Sequence, residues 1–237
     1  MEEIKTKKKS GASTASKTGG PFQIVESYKA LRTNLLFTLA TAQRKSVAIA
    51  SAEPHAGKST TAANLSIVLA QTNFKVLLID ADMRNPSLHR IFGQSRMEGL
   101  SKVLSDMQTV DEALVRQVAP NLDFLPAGPL PPNPQELLCS PKMAQLLREA
   151  ETIYDYVIVD TPPLNLVADA LMLTKEIAGL LLVVREGQTS YEDVRLSQDS
   201  VENIDGHILG IVLTDVKQHV GPYREKYYKS SDYDYGQ

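Results

Sequence analysis

Short apolar runs alternate with longer amphipathic segments over most of the chain. The runs are four to six residues long and nearly uninterrupted, which is typical of strands buried on both faces. We predict six strands, at residues 47–50, 75–80, 122–125, 156–160, 180–184 and 208–213. Helical segments separate them, at about residues 60–70, 141–152, 168–177 and 190–204. This alternation favours a doubly wound α/β domain with a mostly parallel sheet.

A further helix is predicted ahead of the first strand. Its apolar positions are separated by four, three and four residues and therefore share one face: Ile24, Tyr28, Leu31 and Leu35. Three charged residues, Glu26, Lys29 and Arg32, fall on a different face, which we expect to meet solvent. Later in the chain, the proline-rich connection at 126–141 holds two predicted helix starts, with Asn133 and Ser140 as N-caps, each followed by proline.

The composition fits one domain of this kind. The chain has 237 residues, 43% of them apolar, which is enough for a substantial core and excludes a small domain held by disulfides or metal. The single cysteine, Cys139, cannot form an internal disulfide and favours a reducing cytoplasm. No run reaches the ~18–20 apolar residues of a membrane span, and the polar N-terminus does not resemble a signal peptide. A net charge of −3 argues against a general nucleic-acid binder.

The two ends of the chain differ from the middle. We predict residues 1–21 to be a disordered basic arm, either solvated or weakly attracted to an anionic membrane at about 1 kcal/mol per lysine. The domain is predicted at 22–220, and residues 221–237 are predicted to be a flexible tail. Five of the nine tyrosines lie in these last 17 residues: Tyr223, Tyr227, Tyr228, Tyr233 and Tyr235.

Residues 52–59 read A-E-P-H-A-G-K-S, which is a P-loop pattern with alanine at the usual first glycine. The segment follows a predicted strand and opens a predicted helix, where backbone N–H groups and the helix dipole bind phosphate. Lys58 is predicted to reach the terminal phosphates, and the Ser59 hydroxyl is a natural Mg²⁺ ligand. The chain is therefore predicted to bind ATP and Mg²⁺. The predicted nucleotide-binding residues are His55, Ala56, Gly57, Lys58, Ser59 and Thr60.

Three aspartates follow two of the predicted strands. Asp160 ends one of them, where we expect either magnesium coordination or a helix cap. Asp80 and Asp82 end another, and ligands of open α/β sheets bind beyond the carboxyl ends of strands. Two carboxylates exceed what one Mg²⁺ needs, so one of this pair is available as a base or positioner for an attacking hydroxyl. The alternative is that one binds metal and the other caps a helix.

Together these motifs resemble those of the bacterial tyrosine kinases that regulate capsule and exopolysaccharide synthesis. D-A-D-M-R-N-P at 80–86 is similar to the second Walker motif (A′) of that family. It occurs with the P-loop, Y-D-Y-V-I-V-D-T-P-P, P-P-N-P-Q-E-L-L and the terminal tyrosine cluster, in the family's order and spacing. The similarity runs from about residue 22 to the C-terminus. It implies a P-loop NTPase fold and an ATP- and Mg²⁺-dependent kinase that phosphorylates its own tail tyrosines.

The resemblance also implies a role for each site residue. Lys58 would hold the phosphates, Ser59, Asp82 and Asp160 would bind metal directly or through water, and Asp80 would be the base for the incoming tyrosine hydroxyl. Three positions at the predicted nucleotide site depart from the family. The phosphate loop has His55 and Ala56 where glycine and glutamate are usual, and Thr214 stands where an asparagine near the nucleotide base is common, so no base contact is assigned there.

Glu26, Lys29 and Arg32 match the family's E-x-x-R-x-x-R motif, although lysine replaces the middle arginine and loses a bidentate fork. In the family this helix docks subunits into a ring, an octamer before phosphorylation, which delivers each tail to a neighbour's site. The alternative is that these residues form only surface ion pairs along the helix. Each phosphate would add about −1.5 to −2 charges to the tail, which we expect to loosen the ring.

The resemblance implies a stand-alone form of the kinase, activated by the cytoplasmic tail of a transmembrane adaptor of the polysaccharide co-polymerase type. The protein would then be cytoplasmic and peripheral at the inner face of the membrane, and it would regulate polysaccharide synthesis. One alternative is a switch ATPase of the septum-placing or partitioning type, but that class has a second P-loop lysine where this chain has Glu53. The other is a non-catalytic nucleotide-binding adaptor.

Overall fold

The structure is a computed structural model, and it describes residues 21–166 and 171–216. Residues 1–20 of the predicted arm and the whole predicted tail at 221–237, with its five tyrosines, lie outside the described residues.

One seven-stranded sheet forms the centre of the domain. Its strands are β1 (Ser46–Ser51), β2 (Val76–Asp80), β3 (Val115–Ala119), β4 (Leu122–Leu125), β5 (Tyr156–Asp160), β6 (Gly179–Arg185) and β7 (Ile208–Thr214). Their order across the sheet is β3-β4-β2-β5-β1-β6-β7, and every pair is parallel except β3 with β4. All six predicted strands are confirmed. β3 was not predicted, because its sequence V-R-Q-V-A is only partly apolar and none of its residues is fully buried.

Helices cover both faces of the sheet. They are α1 (Pro21–Leu39), α2 (Lys58–Ala70), α3 (Leu88–Ile91), α4 (Leu100–Leu104), α5 (Val110–Ala113), α6 (Pro134–Leu138), α7 (Pro141–Ile153) and α8 (Tyr191–Glu202). The helix predicted at 168–177 is a 3₁₀ helix, Leu171–Glu176, in its described part. The short helices α3, α4 and α5 were not predicted, since four or five residues are too few to show a helical period. Within the described ranges, no helix has both the length and the apolar character to cross a bilayer.

Two apolar cores lie on opposite faces of the sheet, which confirms the doubly wound α/β class. α1 and α2 pack on one face, where Leu35, Leu65 and Phe124 are buried. α4, α6 and α7 pack on the other, around Leu100 and Met143. The strands between these layers are buried on both sides, and this explains why their sequences are almost continuously apolar.

The apolar face predicted for α1 meets α2 mainly in its second half. Leu35 is buried, Tyr28 and Leu31 are partly buried against the same core, and Ile24 is half-buried. Of the two predicted caps before α6 and α7, one is confirmed, because the Ser140 hydroxyl accepts from the Met143 N–H at 3.3 Å.

The other predicted cap needs correction. Asn133 holds the N-cap position of α6, but its side chain accepts no backbone hydrogen bond. Its amide instead donates to the Glu136 carboxylate at 2.8 Å.

Candidate active site

An open cavity of about 510 Å³ lies at the carboxyl edge of the parallel strands. Its walls come from residues of segments 54–60, 82–90 and 162–166, which follow β1, β2 and β5, and from Arg185 at the end of β6. Open α/β sheets bind their ligands at this edge. The structure therefore brings the predicted phosphate loop and the A′ segment together in one site.

The phosphate loop crosses from β1 to the first turn of α2. Gly57 holds the N-cap position with φ of 95°, and no side chain caps the helix, so its first N–H groups are available to an anion. This left-handed conformation strains any residue with a Cβ and explains the glycine. His55 is also left-handed, with φ of 62°. Five of the six predicted nucleotide-binding residues line the cavity, and the sixth, Ala56, is buried beneath it.

Four consecutive carbonyl groups of this loop accept hydrogen bonds from side chains behind it. We call the four donor residues the loop brace. The Ser51 hydroxyl donates to the Glu53 carbonyl at 2.7 Å, and the Gln188 amide donates to the Pro54 carbonyl at 3.3 Å. The Arg185 guanidinium donates to the His55 carbonyl at 3.1 Å, and the Thr214 hydroxyl donates to the Ala56 carbonyl at 2.7 Å. In a trans peptide, the N–H points away from the preceding carbonyl. The loop brace therefore directs the N–H groups of residues 55–57 to the opposite side, where a phosphate would bind.

Three members of the loop brace were missed or left unassigned by the sequence. Arg185 and Gln188 follow an apolar strand and belong to no recognised motif. Thr214, for which no base contact was assigned, supports the loop through its hydroxyl. Its methyl group lies 3.5 Å from the position that a Cβ atom would take if residue 57 were not glycine. The one signal that could have indicated Arg185 and Gln188 is that they follow β6, a parallel strand whose carboxyl end lies at the sheet edge that carries the P-loop.

We expect Arg185→Gln to weaken ATP binding about tenfold, because it removes a charge-assisted bond that positions the His55 carbonyl. Calorimetric titration of ATP with Mg²⁺ into the full chain gives this Kd without requiring turnover. The matched control is Arg148→Gln. Arg148 lies on α7, away from the cavity, and its guanidinium forms an ion pair with the Glu176 carboxylate at 3.1 Å. Equal ATP affinity in the two variants would contradict a positioning role for Arg185.

Lys58 lies among the carboxylates at the floor of the cavity. Its Nζ atom is 2.9 Å from Asp82 Oδ2 and 3.7 Å from Asp160 Oδ1. Burial acts to lower the pKa of Lys58, but the charges of Asp160 and Asp82 outweigh it and raise the pKa above its ordinary value. The ammonium group therefore stays charged and faces the carboxyl ends of β2 and β5.

The carboxylates of Asp160 and Asp80 are both fully buried. Burial raises the pKa of Asp160 to about 6, although the nearby Lys58 ammonium and Ser59 hydroxyl oppose the shift. Burial, followed by the charges of Asp160 and Asp82, raises the pKa of Asp80 well above its ordinary value. Neither oxygen of Asp160 has a hydrogen-bond partner, and only one oxygen of Asp80 has one, the Leu88 N–H at 3.3 Å.

Buried carboxylate oxygens without donors are what a bound cation would satisfy, so the residues fit Mg²⁺. Asp82 and Ser59 line the cavity near Asp160. In the described part of the chain, no group of three or more His, Cys, Asp or Glu side chains is arranged to hold a metal ion by itself. A few protein oxygens completed by phosphate and water are the usual magnesium environment. The sequence placed Asp80 and Asp82 at the same edge, but only Asp82 lines the cavity.

Two of the three charged residues of α1 pair with each other, and the third forms a hydrogen bond with α2. Lys29 pairs with Glu26 at 2.8 Å along the helix, and both side chains are more than 40% exposed. Arg32 donates to the carbonyl of Val68 at 2.9 Å, in the last turn of α2, where helix carbonyls lack backbone partners. Sequence reasoning missed this intramolecular bond, and the docking role of the triplet stays a prediction.

The chain is similar to several known proteins. A family model described as an AAA domain matches residues 44–204. The chain is 43% identical over 192 residues to the tyrosine-protein kinase YwqD of Bacillus subtilis (strain 168), with 81% of each protein covered. It is 35% identical over 190 residues to the putative tyrosine-protein kinase CapB of Staphylococcus aureus, covering 80% of this chain and 83% of CapB. Its structure is similar to the kinase domain of Escherichia coli tyrosine kinase ETK, with a TM-score of 0.77, 35% identity, and coverage of 83% of this chain and 79% of that one.

Proposed function

Because the chain belongs to the family of bacterial tyrosine-protein kinases, we propose that it uses ATP and Mg²⁺ to phosphorylate the tyrosines of its own tail, one subunit acting on the next. The observation that carries this proposal is the position of Lys58 and Asp82, which line one cavity beside the P-loop. The Lys58 ammonium lies 3.7 Å from the buried Asp160, whose oxygens have no hydrogen-bond partner. These groups match the requirements of phosphoryl transfer, which depends on positioning and charge stabilisation.

In the proposed reaction, the tyrosine oxygen forms a bond to the terminal phosphorus of ATP, the bond to ADP breaks, and the hydroxyl proton passes to a carboxylate. Lys58 and the loop N–H groups hold the phosphates. Ser59, Asp82 and Asp160 would hold Mg²⁺, which neutralises charge on the transferred group when bound.

The proposed base is Asp80, the residue to which the family resemblance gives this role. Its raised pKa strengthens it as a proton acceptor near neutral pH. However, Asp80 is fully buried, whereas Asp82 lines the cavity. Asp82 is therefore the carboxylate that an incoming hydroxyl meets first, and a proton reaching Asp80 must pass it.

The proposed assembly is a ring, an octamer before phosphorylation, in which α1 contacts the neighbouring subunit. Glu26 and Lys29 support this proposal because both are exposed on one side of α1. The bond from Arg32 to α2 fixes the helix that presents them. The proposed activator is the cytoplasmic tail of a transmembrane adaptor, which would hold the kinase at the inner face of the membrane. There we propose that it regulates capsular or extracellular polysaccharide synthesis.

The test is phosphotyrosine formation by the full chain with ATP and Mg²⁺, with and without the adaptor peptide. Replacing all five tail tyrosines with phenylalanine should remove most of the signal. Light scattering on the same samples reports whether the ring forms and loosens. Label that stays on Tyr28, Tyr154 or Tyr156 would contradict the tail as substrate.

The two remaining alternatives have distinct outcomes in this experiment. ATP hydrolysis without phosphotyrosine would favour the switch ATPase. Nucleotide binding without turnover, even with the adaptor peptide, would favour the non-catalytic adaptor.

A further inference from the structure

The three residues proposed to hold Mg²⁺ already surround a cation of the chain itself. We call these residues, Ser59, Asp82 and Asp160, the metal triad. The Lys58 ammonium lies 2.9 Å from Asp82 Oδ2, 3.5 Å from Ser59 Oγ and 3.7 Å from Asp160 Oδ1. The lysine and a metal ion bound by the triad would therefore use the same oxygen atoms.

An ammonium group and a divalent cation exclude each other at such a position. Both need oxygen lone pairs, the ammonium as a donor of hydrogen bonds and Mg²⁺ as a centre of coordination. They also repel each other, and little water is present to screen the repulsion, because the Lys58 side chain is only 11% exposed and Asp160 is fully buried. Metal binding by the triad therefore requires the Lys58 ammonium to leave.

Lys58 satisfies the metal triad only in part. It donates to Asp82, but it forms no hydrogen bond with Asp160, whose two oxygens both lack a donor. Lysine is a compact charge on a flexible four-carbon stem, so its ammonium can exchange one partner for another. The ammonium should therefore weaken metal binding by the triad and still be displaceable.

A nucleotide would give Lys58 another partner. Lys58 lines the cavity together with Gly57 and Thr60 of the phosphate loop, and in the proposed reaction its ammonium holds the terminal phosphates. Phosphate oxygens form strong charge-assisted hydrogen bonds with an ammonium group. The same move that brings Lys58 to phosphate would free the oxygens of the metal triad.

We propose that Lys58 competes with Mg²⁺ for the metal triad, and that nucleotide phosphate relieves this competition by binding the ammonium. The inference rests on the proposed nucleotide and metal site and concerns the regulation of that site: the triad binds metal tightly only together with nucleotide. By linkage, metal and nucleotide then raise each other's affinity, and couplings of this kind typically amount to about 5- to 150-fold.

The first test measures Mn²⁺ binding to the untagged full chain at pH 8 without nucleotide, from the electron paramagnetic resonance signal of the free ion. Lys58→Met should bind Mn²⁺ at least about tenfold more tightly than wild type. The matched control is Lys102→Met, which also removes one positive charge, but from an ion pair with Glu98 outside the cavity. This control should keep the wild-type affinity for Mn²⁺.

Two further variants make the result specific. The double variant Lys58→Met/Asp160→Asn should lose the gained affinity, because the metal triad then lacks one carboxylate. Lys58→Gln removes the charge but keeps a side-chain hydrogen-bond donor, and it should also bind Mn²⁺ more tightly than wild type. It decides the test if Lys58→Met does not fold.

The second test measures thermal unfolding and also needs no turnover. Mg²⁺ at about five times its Kd should raise the Tm of Lys58→Met by roughly 2–4 °C without nucleotide. The same concentration of Mg²⁺ should barely change the Tm of wild type. With a non-hydrolysable ATP analogue present, Mg²⁺ should raise the wild-type Tm above that given by the analogue alone.

The outcomes separate this inference from the function beneath it. Wild type that forms no phosphotyrosine would contradict the kinase proposal, whereas the Mn²⁺ titration would still decide the role of Lys58. Normal phosphotyrosine formation by wild type, with Mn²⁺ affinities of Lys58→Met and Lys58→Gln no higher than that of wild type, would overturn the competition alone. So would a gain in affinity that persists in Lys58→Met/Asp160→Asn, since the metal would then bind outside the triad.

Discussion

Replacing Lys58 with methionine should reduce phosphotyrosine formation by about a hundredfold or more, because the terminal phosphates lose their cation at the point where negative charge develops. The measurement is single-turnover transfer from labelled ATP with the adaptor peptide present. The matched control is Lys102→Met on α4, whose ion pair with Glu98 at 2.9 Å lies outside the cavity. Persistent label in Lys58→Met would show that the site is assigned wrongly.

The same substitution should also destabilise the nucleotide-free protein. Lys58 is the cation that opposes the negative charge of Asp80, Asp82 and Asp160 at the cavity floor. Removing one partner of a buried ionic group costs about 3–5 kcal/mol, and protonation of the carboxylates limits this loss at low pH. Thermal unfolding should therefore show a larger gap between Lys58→Met and wild type at pH 8 than at pH 5. Lys102→Met should show a small gap at both.

Replacing Asp160 with asparagine should have opposite effects on stability and activity. The nucleotide-free variant should be more stable than wild type at neutral pH, because a fully buried carboxylate without hydrogen-bond donors is removed. Lys58 keeps its closer partner, Asp82 at 2.9 Å, so the substitution leaves no unpaired ammonium. Phosphotyrosine formation should fall by about a hundredfold or more, since a proposed magnesium ligand is lost.

The pH dependence of this stability gain has a definite sign. The pKa of Asp160 is about 6 in the folded protein against an ordinary value of 3.8, so the unfolded chain releases this proton at a lower pH than the folded chain does. Between about pH 4 and pH 6 the folded state holds the extra proton, and wild-type stability falls as the pH rises through that window. Above it, the destabilisation is complete, at about 2–3 kcal/mol.

The stability gap between Asp160→Asn and wild type should therefore be small at pH 4 and largest above pH 6. The measurement is chemical unfolding across this range, first without nucleotide and then with ATP and Mg²⁺, which should close the gap by stabilising wild type more. The control Asp199→Asn changes an exposed aspartate on α8 and should show no such dependence. If Asp160→Asn is less stable than wild type at neutral pH, the buried Asp160 carboxylate does not destabilise the nucleotide-free protein and this interpretation is wrong.

The sequence was sufficient to predict six of the seven strands and to bring the P-loop residues to the cavity, and the reason is local. β1, β2 and β5 are buried on both faces, so burial alone makes them apolar. β2 and β5 each end at an aspartate, and β1 leads into the loop that contains Gly57. β3 was missed because it pairs only with β4 at the sheet edge, where one neighbour and partial exposure leave no clear pattern.

The rest depended on contacts between distant parts of the chain. Arg185 meets the P-loop across 130 residues, and Arg32 meets α2 across 36. A helical wheel shows on which side of α1 an arginine lies, but it does not show which carbonyl of another helix is within reach. Similarly, Asp80 and Asp82 share the spacing of one strand face, yet β2 ends at Asp80 and the chain then turns away. Only Asp82 reaches the cavity.

The loop brace also fixes when the site can form during protein synthesis. Lys58, Asp82 and Asp160 leave the ribosome before Arg185, Gln188 and Thr214, although the loop conformation depends on the later group. β1 itself lies between β5 and β6, so an incomplete chain leaves one edge of the central strand unpaired. A nascent chain therefore has the proposed catalytic side chains but lacks a finished phosphate cradle until β7 is made. The proposed acceptor tyrosines follow β7 directly in the sequence, so the cradle and its proposed substrate are synthesised almost together.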